Sequence, residues 1–75
     1  MNKSIFVVKS INGDYVTDNG VFVLYQNAIE QAEDVRAAHG CEVWLEEWLD
    51  YQNSGNYKEF LRVIELNKVR PLNAN

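Results

Sequence analysis

The chain has one cysteine, one proline and one histidine in 75 residues. A single thiol excludes an internal disulfide framework and fits a reducing compartment. No apolar run approaches the roughly 20 residues of a membrane helix, and Ile5–Val8 is too short for the core of a secretion signal. The expected location is therefore cytoplasmic, with no membrane partner. There is no Gly-rich phosphate loop, because Asn12-Gly13 and Asn19-Gly20 are turns with one glycine each. There is no Cys-x-x-Cys and no paired histidine, so His39, Cys41 and Glu42 make no metal site, and no cofactor is expected. A Cys41–His39 nucleophile would sit just past a helix C-terminus, where the dipole disfavours thiolate. The carboxylate pair Glu46 and Asp50 has too little domain around it to shape a substrate cleft. These shortages argue against an enzyme.

What remains is a chain with 47% hydrophobic and 24% charged residues, ordinary for a folded globule and too apolar for disorder. Its length suits one domain, residues 1–75, with the Asn-rich end at 70–75 a frayed tail. The formal charge is −4 with an isoelectric point near 4.8, which disfavours nucleic acid. The charge is unevenly placed. Lys3 and Lys9 balance Asp14 and Asp18 in residues 1–26. Residues 27–50 hold Glu30, Glu33, Asp34, Glu42, Glu46, Glu47 and Asp50 against Arg36 alone. Residues 51–75 set Lys58, Arg62, Lys68 and Arg70 against Glu59 and Glu65. An acidic middle would speed encounter with a basic partner and weaken with salt. The basic end, with Tyr57 and Phe60 interleaved, leaves single-stranded nucleic acid as a lesser reading.

Ser4–Lys9 reads as a strand, because β-branched and aromatic residues crowd together there. Asn12-Gly13 signals a tight hairpin. Residues 15–24 read either as one strand bulged at Asp18-Asn19-Gly20 or as a strand and a separate extended piece. Asn27 and Glu30 resemble a capping box opening a helix. Ala28, Ile29, Ala32, Val35 and Ala38 form its apolar stripe, and Gly40 fits the left-handed position after it. Residues 42–51 fit two templates. As a strand, Glu42, Trp44, Glu46, Trp48 and Asp50 share one face, and Val43, Leu45, Glu47, Leu49 and Tyr51 the other. As a helix, Cys41, Trp44, Leu45, Trp48 and Leu49 make a stripe. A turn-rich loop at 52–56 and an apolar run at Glu59–Leu66 favour a hairpin. The expected class is α+β: a small antiparallel sheet in the order β-β-α-β-β with one helix on one face. The alternative is ββαα with 42–51 helical.

Trp44-Leu45-Glu46-Glu47-Trp48-Leu49-Asp50-Tyr51 packs three aromatics and three acids into eight residues. Tryptophan and tyrosine bury much area at low entropy cost and dominate interface hot spots. Carboxylates around them would select a partner carrying Arg or Lys. Trp44, Glu46, Trp48 and Asp50, with Glu47 and Tyr51 nearby, are the candidate partner-binding residues. One helix can cover only one face of a sheet, so tryptophans on the other face would stay half-exposed. A second copy of the chain could also use that face.

Phe6-Val7-Val8 through Asn12-Gly13-Asp14-Tyr15-Val16, then Asn19-Gly20-Val21-Phe22 and a helix with Ala28 and Ala32 closing at His39-Gly40, resembles the opening of many small phage- and prophage-encoded accessory proteins. The likeness covers about residues 4–40. It implies a protein that binds and inhibits or redirects a host protein, such as a defence enzyme or the transcription machinery. It carries over no site residue, since that group shares no site motif.

Overall fold

A computed structural model describes residues 3–50 and 59–66. In chain order the elements are β1 (Lys3–Asn12), β2 (Tyr15–Phe22), α1 (Tyr25–His39), β3 (Glu42–Asp50) and β4 (Glu59–Glu65), so the helix stands between β2 and β3. The fold is α+β, with a four-stranded sheet in the order β2-β1-β3-β4. Every neighbouring pair is antiparallel.

The ββαα alternative fails at residues 42–50. This stretch pairs with β1 on one side and β4 on the other. A lone helix would satisfy its own backbone, but a central strand satisfies its groups on both sides while burying a side chain on each face. Leu45 is fully buried beneath the helix, opposite Val8 and Ile64.

The first hairpin turns on Gly13 and Asp14, because Asn12 pairs with Tyr15. Gly13 takes φ 66°, so the left-handed residue follows Asn12, and Asn12 itself belongs to the strand. Asp18-Asn19-Gly20 bulges the strand without ending it. Val7 pairs with Val21 and Lys9 with Asp18, which leaves Asn19 and Gly20 opposite Val8 alone. Gly20 sits at φ 123°, and a Cβ there would lie 2.8 Å from the Phe22 ring. Asn19 donates to the Ser10 hydroxyl at 2.9 Å, while its carbonyl accepts from the Gln31 amide at 3.2 Å. The bulge thereby ties the edge strand to the helix.

The helix starts three residues earlier than the Asn27 cap implies. Leu24 is its N-cap, extended at φ −97° and ψ 126°, with no side-chain cap bond and no acid in the first turn. The Tyr25 ring meets Phe6 edge-on at 5.4 Å, which anchors the opening turn on the sheet in place of a polar cap. Ala28, Ile29, Ala32 and Val35 are buried as the stripe requires, whereas Ala38 is exposed. Gly40 ends the helix in the left-handed region at φ 65°, donating to the Arg36 carbonyl at 2.8 Å. Under the helix lies the core of Val8, Val43, Leu45, Ile64 and Leu66, with Phe6, Phe22 and Cys41 at its margin.

Candidate functional site

Strand alternation sends residues to the face away from the helix in rows that cross the sheet. The register places Val16 beside Ile11 and Glu42, and Asp18 beside Lys9, Trp44 and Glu65. The next rows are Val21, Val7, Glu46 and Val63, then Ile5, Trp48 and Phe60. A second bulge makes the last row possible: Glu47 pairs with Arg62 and Trp48 with Phe60, leaving Leu61 as the extra residue.

Among the described residues no second layer covers this face, yet Val7 is 0% exposed and Ile5 3%. Val7 is as buried as Val8, which lies beneath the helix. Their register neighbours on this face are Glu46 beside Val7 and Trp48 beside Ile5. Trp44 and Trp48, both half-buried, flank Glu46 on this face. The Trp44 indole N–H donates to Glu46 Oε2 at 3.2 Å, and that of Trp48 to Glu46 Oε1 at 3.0 Å. Trp48 also meets the Phe60 ring edge-on at 5.4 Å. Lys9 Nζ lies 2.8 Å from Asp18 and 3.9 Å from Glu46. Around this polar centre, Val16, Val21, Phe60 and Val63 are exposed.

The candidate strip divides as a strand must. Trp44, Glu46 and Trp48 come together on the open face, and the backbone of Asp50 continues that line opposite Lys3. Glu47 goes to the helix side. There its carboxylate accepts from Arg62 Nε at 2.6 Å, a contact that holds the acid below its ordinary value near 4.5. Partial burial of Glu47 opposes that shift, and a hydrogen bond with Ser4 adds to it. Glu47 is thus turned from the surface that the tryptophans form. Tyr51 lies outside the described residues, as do Tyr57, Lys58, Lys68, Arg70 and the 70–75 tail. Of the basic C-terminal set only Arg62 is described, and Glu47 engages it.

Where β3 begins and β4 ends, a groove of about 670 Å³ opens beside Trp44. Arg36, Glu42, Glu46, Val63 and Glu65 line it with Ile11. Its three carboxylates outnumber its one guanidinium, so it suits a cation better than an anion. His39 is exposed, and Cys41 packs at the core margin. Among the described residues no three His, Cys, Asp or Glu side chains converge as metal ligands, and no helix is long and apolar enough to cross a membrane.

Sequence reading found the common face of Trp44, Glu46 and Trp48 from their spacing of two. It missed the double acceptance by Glu46, the Lys9–Asp18 pair and the Phe60 ring beside Trp48. No local signal carries these contacts, because each depends on register or rotamer. Comparison of the chain with protein-family models, curated proteins and solved structures returned no match.

Proposed function

We propose that the chain is a non-catalytic, acidic protein-binding module, a phage-type inhibitor or modulator of a host protein in the defence or transcription machinery, working in the bacterial cytoplasm. The observation that carries this reading is the open sheet face, where two half-buried tryptophans stand among exposed valines and Phe60. Large aromatics beside exposed apolar side chains supply the kind of anchor on which interface hot spots are built. The acid-rich groove beside Trp44 suits an Arg or Lys of the partner, and Glu42, exposed at its rim, is the residue placed to meet it. Capture from bacterial lysate on immobilised wild type and on Trp48→Ala tests the assignment. A captured protein should be lost with Trp48→Ala and recovered in part with Trp48→Phe. Equal recovery on both columns would remove the face from the account.

A second reading, self-association, is favoured by one observation. The edge strand β4 exposes Phe60, Leu61 and Val63 together, and bare apolar edges invite pairing. Sedimentation over a range of concentrations decides between the readings, and a strict monomer excludes the second.

A further inference from the structure

We propose that Glu46 is the positioning residue of the open face: its carboxylate holds Trp44 and Trp48 as a preset pair that offers carbon surface, not N–H groups, to a partner. The inference rests on the reading of that face as a docking surface and names how the surface is made ready.

Residues 44, 46 and 48 alternate on one side of a central strand, each about 6.8 Å from the next. That spacing lets one short carboxylate reach the indole on either side. Each oxygen takes one ring, Oε2 from Trp44 at 3.2 Å and Oε1 from Trp48 at 3.0 Å. An indole N–H only donates, and a carboxylate only accepts, so the match is complete in one direction. Lys9 at 3.9 Å completes a line of charge, Asp18 to Lys9 to Glu46, across three strands. Glu46 thus has its charge answered within the chain.

Two consequences follow for the partner. It need not supply acceptors to the indoles, so apolar or aromatic side chains fit over them. Its basic group belongs at Glu42 on the groove rim, since Glu46 is already engaged. Rings held before binding also spare the entropy of ordering them. Loosening each ring should weaken association by between about twofold and tenfold.

The test uses the free, 15N-labelled protein and the two indole N–H resonances. Glu46→Ala should shift both resonances and speed their exchange with solvent at least about tenfold, with the backbone amide pattern retained. Glu46→Gln keeps the shape but turns one oxygen into a donating NH₂. It should release one indole and leave the other held. Lys9→Met should leave both in place. Unchanged indole resonances in folded Glu46→Ala, or in Glu46→Gln if the alanine variant does not fold, overturn the proposal. Because no partner takes part, the outcome is separate from lysate capture. Held rings with capture indifferent to Trp48 would keep the clamp and discard the docking surface, and loose rings with Trp48-dependent capture would do the reverse.

Discussion

Ile5 is the sharpest probe of how the uncovered face is closed. It sits directly across from Trp48 and is 3% exposed, although among the described residues no helix lies above it. If the indole provides that cover, the value of an Ile5 methylene depends on the ring. Ile5→Val removes one buried methylene, which costs about 1 kcal/mol. Once Trp48→Ala has opened the site to water, the same change should cost only about 0.3 kcal/mol. The coupling of about 0.7 kcal/mol lies within the range for cross-strand pairs. Val8→Ala is the control. Val8 faces the helix, so its loss should cost about 2 kcal/mol in both backgrounds and add to Trp48→Ala within roughly 0.5 kcal/mol. Total stability for a chain of this size is about 4–11 kcal/mol, so the cycle is read by urea denaturation in a stabilising osmolyte that keeps the double variants folded at the start of the titration. An Ile5→Val cost that is identical with and without Trp48 would refute the claim that the ring shields this row.

Other outcomes follow from single contacts. Gly20→Ala should destabilise by more than about 1 kcal/mol, and by more than Gly40→Ala, since its Cβ would strike the Phe22 ring while nothing lies near that of Gly40; thermal unfolding of both ranks them. Glu47 has its acidity strengthened chiefly by the Arg62 hydrogen bond. Its contribution is therefore fully present above the ordinary value near 4.5 and is lost as pH falls through the lower folded value. Arg62→Met should flatten that acid limb of the stability curve, by under about 1 kcal/mol because Arg62 is exposed and salt screens the pair. Glu42→Lys should slow association with a captured basic partner and reduce its salt dependence, with dissociation little changed, as surface plasmon resonance would read.

Much of the fold is legible because periodicity is a physical record of burial. The helix declares itself through Ala28, Ile29, Ala32 and Val35 at its own spacing, and Gly40 marks its end by the conformation it alone adopts cheaply. Its beginning is hidden in the sequence because the Tyr25–Phe6 ring contact at the opening turn joins residues far apart in the chain, which no local pattern records. Residues 42–50 fit two templates for a related reason. A central strand that buries Leu45 on one side and carries tryptophans on the other has apolar residues in both phases, and so mimics a helix. Only pairing with β1 and β4 distinguishes them. The site was legible as a shared face, through the spacing of Trp44, Glu46 and Trp48. Its internal chemistry was hidden, because the carboxylates looked equivalent in sequence. Register gives Glu46 to the indoles and Glu47 to Arg62, on opposite sides of one strand.

Acrylamide quenching of the tryptophans in a confirmed single copy, alone and then saturated with the protein that wild type captures, bears most directly on the docking face. Both rings should be reachable by the neutral quencher in the free chain and shielded in the complex. Quenching that is already negligible in the free single copy, or that stays the same when the captured protein is bound, contradicts the account.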